Sequence, residues 1–222
     1  MTNVLIPVKD LSRAKGRLQG LLSPDERAGL ALAMLRDVLT TLRSGDLGEI
    51  WIVAHDNSVF DLGREFGAQA IRESVSQGYN NGVAAGLQAV DARRPVMVLP
   101  ADLPFLHAQD VARLSAPRAV DAPFIGIVPD RHNRGTNGLL LSRPDLIAPA
   151  FGHNSFFKHK AAAARAGVTA KVFPLNSMAV DIDCAEDLFT LARSDQPGAA
   201  VRFLQALMAQ RPLVENLSMG VA

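Results

Sequence analysis

The sequence predicts an α/β protein built around a mostly parallel central sheet. Short apolar runs rich in β-branched residues alternate with longer stretches of helical periodicity, which is the pattern of βαβ units. Apolar residues make up 48% of the 222 positions, enough for helices to cover both faces of a sheet. That length suits one large domain, read here as residues 1–210, with 211–222 expected to fray as a C-terminal tail.

The first strand is Val4 to Val8, and the basic loop Lys9 to Arg17 follows it directly. A helix opens at Ser23-Pro24-Asp25-Glu26, where Ser23 and Glu26 have the spacing of a capping box and Pro24 takes the first helical position. Leu30, Leu32, Leu35, Val38, Leu39 and Leu42 give that helix its apolar side. Ile50 to Ala54 is the next buried strand. A helix over Ser58–Phe66, a short strand near Gln69 to Ile71, and a helix opening after Gly78-Tyr79-Asn80-Asn81-Gly82 come next. Pro95 to Pro100 supplies a central strand that ends in Ala101-Asp102-Leu103-Pro104. Phe124 to Val128 is a further strand, and the polar segment Asp130–Asn137 leads into the apolar run Gly138 to Leu141. Phe151 to Phe156 precedes an alanine-rich helix, a strand lies near Ala170 to Phe173, and Val180-Asp181-Ile182-Asp183 enters a helix through Leu188.

Composition excludes several classes of function. A formal net charge of +1 leaves no broad field for nucleic acid or an anionic membrane, so any anionic ligand must be held locally. The single cysteine, Cys184, rules out an internal disulfide and fits a reducing, cytoplasmic compartment. No run approaches the roughly 18 apolar residues of a membrane span, and no signal sequence is expected. His153 and His159 lack the spacing of a helical zinc pair, and one cysteine cannot build a structural zinc site.

Three acids carry the chemical argument. Asp102 follows a central strand, where ligands of open α/β sheets collect. Asp181 and Asp183 alternate on an extended segment, so both project to one side, and three hard oxygen donors suit Mg²⁺. A competing reading makes Asp102 a turn residue and Asp183 a helix N-cap with Glu186 three positions on. Lys9, Arg13, Lys15 and Arg17 offer cations for a triphosphate, yet the loop has neither the Walker pattern nor the Gly-x-Gly-x-x-Gly fingerprint. Gly135-Thr136-Asn137 and Gly152-His153-Asn154-Ser155 pair permissive backbone with hydroxyl and amide donors, as a small anion requires and as ordinary turns also use.

Taken together, Pro7-Val8-Lys9, Ala14-Lys15-Gly16-Arg17-Leu18, Leu99 to Pro104, Asp130-Arg131 with Gly135-Thr136-Asn137, Phe151-Gly152 with Ser155-Phe156 and His159, and Asp181-Ile182-Asp183 with Glu186-Asp187-Leu188 resemble the 2-phospho-L-lactate guanylyltransferase family. This family includes phosphoenolpyruvate and 3-phospho-D-glycerate guanylyltransferases, and the motifs run in order across almost the whole chain. The resemblance implies a Rossmann-like, glycosyltransferase-A-like nucleotidyltransferase fold and a magnesium-dependent enzyme that joins GMP from GTP to a small phosphorylated carboxylic acid in the making of coenzyme F420. It implies Mg²⁺ on Asp102, Asp181 and Asp183, with Lys15 acting beside them, and the phospho-acid on Thr136, Gly152 and Ser155. It further implies GTP at Lys9, Lys15, Arg17, Gly78 and Asn80, and family habit would allow a homodimer. Tyr79 stands where the family usually has leucine, and Ala185 where it commonly has proline. A molybdenum-cofactor-type or sugar nucleotidyltransferase is the neighbouring alternative, although its glycine-rich opening loop is missing, and a non-catalytic nucleotide-binding protein is the alternative of a different class.

Overall fold

The computed structural model describes residues 1–73, 78–116 and 122–211. Its strands are β1 (Asn3–Pro7), β2 (Ile50–Ala54), β3 (Gln69–Arg72), β4 (Val96–Val98), β5 (Ile125–Pro129), β6 (Thr136–Leu141) and β7 (Lys171–Val172). The helices are α1 (Pro24–Arg43), α2 (Asn57–Glu65), α3 (Tyr79–Ala89), α4 (Ala108–Ser115), α5 (Ser155–Arg165), α6 (Ala185–Ala192) and α7 (Ala199–Gln210). Among the described residues the strands form one sheet in the order β3-β2-β1-β4-β6-β5-β7.

The sheet is parallel except at β6, which runs antiparallel to both β4 and β5. Only residues 130–135 separate β5 from β6, and so short a connection can join antiparallel strands but not parallel ones. The reversal brings Thr136, the first residue of β6, to the edge of the sheet where β1 and β4 end, next to the basic loop and Asp102.

Period-two alternation divides the core. Val4 and Ile6 of β1 face α1, α2 and α4 through Val38, Leu39, Val59 and Val111. Leu5 faces α3 and α5, with Val83, Leu87 and Phe156 in the same cluster. Gly86 of α3 is required there, because a Cβ at that position would lie 2.6 Å from the Leu5 methyls. A third cluster joins Leu30 and Met34 of α1 to Leu188 and Leu191 of α6 and Leu204 of α7. Each such leucine contributes about 1.5–3 kcal/mol relative to an exposed one.

Local signals decide where the helices start. Ser23 Oγ accepts from Glu26 N at 3.3 Å while Glu26 Oε2 accepts from Ser23 N at 2.7 Å, so the capping box is formed. The helix expected after Gly82 begins at Tyr79, with Gly78 as its N-cap at φ +96°. Asp183 is not a helix N-cap, contrary to the competing sequence reading. Helix α6 is capped at Cys184, and the residue three positions on is Asp187, whose Oδ2 accepts from Asp183 N at 2.9 Å and Cys184 N at 3.0 Å. Helices α4 and α7 are absent from the sequence reading. Asp37 of α1 holds the start of α7 by accepting from Ala199 N at 2.5 Å and Ala200 N at 2.9 Å.

Arg211, expected to open a frayed tail, is instead anchored, donating to Glu26 Oε2 at 2.6 Å and the Leu21 carbonyl at 3.0 Å. The remainder of that expected tail, 212–222, lies outside the described residues. Among the described residues no helix is long and apolar enough to cross a membrane.

Candidate functional site

A cleft of ≈ 610 Å³ opens along the edge where β1 and β4 end and β6 begins. One wall is the basic loop after β1, which folds into two short 3-10 turns, Leu11–Arg13 and Gly16–Leu18. Lys15 links them with a left-handed backbone, φ +51°. That conformation is uncommon for a side chain with a Cβ and occurs where surrounding contacts hold it. Here it sends Lys15 inward, 7% exposed, to donate to Asp102 Oδ2 and, at 3.1 Å, to Asp183 Oδ1. Burial alone would lower the lysine pKa, but the two carboxylates outweigh it and the pKa is raised.

Asp102 comes from the loop after β4, and Asp181 and Asp183 from the extended segment before α6. One oxygen from each carboxylate lies within 4.8 Å of the others. Burial, then repulsion from Asp102 and Asp183, raises the Asp181 pKa, while Asn137 Nδ2 donates to Asp181 Oδ1 at 3.4 Å. Three oxygen donors this close repel one another and gain from a shared cation, and their number and hardness match Mg²⁺. The residues present therefore fit a divalent hard ion, with the Lys15 ammonium already supplying one positive charge between Asp102 and Asp183.

Asp187 holds this segment from below. Fully buried, it pairs with Arg131 Nη2 and accepts from the amides of Asp183 and Cys184 and from Cys184 Sγ at 3.1 Å. Burial pushes its carboxyl up, but those donors outweigh burial and its pKa is lowered. Cys184 is thus spent on a cap, and burial, its largest influence, raises the thiol pKa.

The opposite wall carries Thr136, Asn137 and the turn Phe151–Ser155. Gly152 sits at φ +104°, a conformation that glycine adopts without strain, and Asn154 at φ +55° leads into α5. His159 of α5, 0% exposed, contacts Thr136 Oγ1 through Nδ1 at 3.0 Å and Ala150 N through Nε2 at 3.1 Å. Tyr79 stacks edge-on against Phe151, with ring centroids 5.2 Å apart, under the Lys9 ammonium. Its hydroxyl is buried without a hydrogen-bond partner among the described residues, and burial, then the nearby Asp102, raises its pKa.

Of the residues singled out from sequence, Lys9, Lys15, Arg17, Asp102, Thr136, Gly152, Ser155, Asp181 and Asp183 all line this one cleft. Gly78 and Asn80 do not. The Asn80 amide is committed to the backbone, donating to the Phe151 carbonyl at 3.0 Å and accepting from Phe151 N at 2.7 Å. It therefore clamps the Phe151–Ser155 turn to α3. Arg134, in the polar segment before β6, and Asn137, the second residue of β6, also line the cleft. The Asn137 amide is one of the donors read from the sequence beside Thr136, whereas Arg134 had no signal beyond lying in that polar segment.

The family model described as "Guanylyl transferase CofC like" matches residues 2–211. A phosphoenolpyruvate guanylyltransferase of Conexibacter woesei is 37% identical over 195 residues, covering 86% of each chain. One from Rubrobacter xylanophilus is 38% identical over 192 residues, covering 86% of this chain and 93% of its own. Among solved structures, a protein provisionally named a nucleotide-diphospho-sugar transferase from Desulfovibrio desulfuricans superposes with a TM-score of 0.71 over 95% of this chain and 98% of its own, at 17% identity. That likeness extends to the fold.

Proposed function

We propose, because the chain belongs to the CofC-like guanylyl transferase family, that it joins GMP from GTP to the phosphate of a small phosphorylated carboxylic acid and releases pyrophosphate. Phosphoenolpyruvate is the first candidate acceptor, since the similar proteins bear its name. 2-Phospho-L-lactate and 3-phospho-D-glycerate share its carboxylate and phosphate, and the product would feed assembly of coenzyme F420. The observation that carries this reading is the convergence of three carboxylates and a buried lysine on one wall of a cleft whose other wall offers Thr136 and the Gly152–Ser155 turn.

Asp102, Asp181 and Asp183 would hold the divalent ion, Mg²⁺, which when bound supplies positive charge to phosphate oxygens. Lys15, fixed between two of these acids, adds a cation that does not have to be ordered when substrate arrives. Lys9, Arg13 and Arg17 lie along the same wall, where they meet the triphosphate. Arg17 is 78% exposed and 3.7 Å from Asp183, so it is free to leave that contact for a phosphate. Thr136, Ser155 and the Gly152 backbone receive the acceptor, and the α5 N-terminus beside them favours an anion. An acceptor phosphate oxygen attacks the α-phosphorus, the bond from that phosphorus to the bridging oxygen breaks, and pyrophosphate leaves with the electron pair. The attacking oxygen is already anionic, so positioning and charge stabilisation suffice and no protein nucleophile is needed.

The test is pyrophosphate release by the purified chain with Mg²⁺ and GTP, offered each of the three phospho-acids separately, with ATP and EDTA controls. Release that needs GTP, metal and one acid is the expected outcome. Release independent of every acid, or none at all, overturns the proposal.

A further inference from the structure

His159 is fully buried beside the cleft, and the transfer chemistry does not use it. Its Nε2 lies 3.1 Å from the Ala150 amide. An amide N–H only donates, so Nε2 must present its lone pair. The single proton of a neutral imidazole then resides on Nδ1, and Nδ1 donates to Thr136 Oγ1 at 3.0 Å. A threonine hydroxyl has one proton and two lone pairs. With a lone pair engaged by His159, the Thr136 proton is left to point away from the imidazole, and Thr136 lines the cleft.

We propose that His159 is a positioning residue that, through this fixed tautomer, turns the Thr136 hydroxyl into a hydrogen-bond donor for an anionic oxygen of the acceptor. The opposite tautomer would draw the Thr136 proton toward His159 and present only lone pairs to an anion, which repels it. Edge-on packing of the imidazole against Phe151, with ring centroids 4.8 Å apart, holds the ring in place. Burial, then the neighbouring Lys158 charge, lowers its pKa to about 4, so the ring stays neutral near pH 7. The inference rests on the reading that Thr136 faces the acceptor.

Two measurements test it. Nitrogen-labelled histidine NMR on the wild-type protein at pH 7 should show His159 protonated at Nδ1, and protonation at Nε2 overturns the proposal whatever any variant does. His159→Gln keeps an amide oxygen able to accept from Ala150 but loses the Nδ1 donor. It should raise KM for the phospho-acid about tenfold, the size of one hydrogen bond to a charged group, and leave KM for GTP unchanged. In a Thr136→Val background the same substitution should add nothing. An equal rise in both KM values, or full additivity with Thr136→Val, overturns the positioning role. If Thr136→Val leaves the acceptor KM unchanged while the Nδ1 tautomer is present, the acceptor reading of Thr136 fails, and the inference falls with it for that separate reason.

Discussion

At Lys15, burial and charge oppose each other, and the outcome defines the site. A lysine 7% exposed is unfavourable in isolation, yet Asp102 and Asp183 together keep it charged. The same two acids, with Asp181, fit a divalent ion, so removing one carboxylate should harm turnover far more than folding. Asp102→Asn and Asp183→Asn each leave Lys15 one carboxylate partner, and both should remain folded by circular dichroism. Both should lose about 100-fold or more in turnover, because several kcal/mol of charge stabilisation depend on the set. Turnover followed across Mg²⁺ concentration checks this, and near-normal rates at limiting metal would contradict it. At this scale the acids were legible from sequence because alternate positions on an extended segment share a side. That Asp183 is not a cap was not legible, since Cys184-Ala185-Glu186-Asp187 offers a second cap one residue on, and the buried Asp187 wins by gathering two amides, a thiol and Arg131.

Among the elements, the sequence pattern shows strands more clearly than it shows their direction or their clamps. The apolar runs of β1, β2, β4 and β5 were readable because buried strands are apolar on both faces. The reversal of β6 depends on its short connection to β5, and α4 and α7 were missed. Helix α4 has only 8 residues, and α7 opens at Gly198 with no side-chain cap of its own, its start being held by Asp37 of α1 from far away in the chain. The Asn80 clamp joins a side chain to backbone 71 positions away, which no local pattern reports. Asn80→Ala should leave the Phe151 amide and carbonyl without their partner and cost about 1–3 kcal/mol of stability. Because the clamp holds the turn that receives the acceptor, KM for the phospho-acid should rise as well. Thermal unfolding read beside the two KM values tests this. A fall in stability with the acceptor KM unchanged would show that the turn keeps its shape without α3.

For the molecule as a whole, stability should weaken in mild acid for a reason that resides in His159. Its pKa is about 4 in the folded chain against 6.5 ordinarily. Between these values the unfolded chain binds the proton and the folded chain does not, so stability is intact above pH 6.5 and declines as pH falls toward 4. The full decline is on the order of 3 kcal/mol. Urea unfolding of wild type and His159→Gln at pH 7.5, 5.5 and 4.5 isolates this part from the carboxylates, because only wild type should lose the His159 share. Parallel pH profiles would contradict it.

The central claim is that the α-phosphate of GTP is transferred to a phospho-acid in this cleft, and label transfer tests it most directly. With Mg²⁺ and phosphoenolpyruvate, 2-phospho-L-lactate or 3-phospho-D-glycerate, label at the α-phosphate of GTP should move onto one acid, label at the γ-phosphate should appear in pyrophosphate, and Asp183→Asn should slow both about 100-fold or more. Label from the γ-phosphate on the acid, or α-label that never leaves a free guanine nucleotide, would contradict the account.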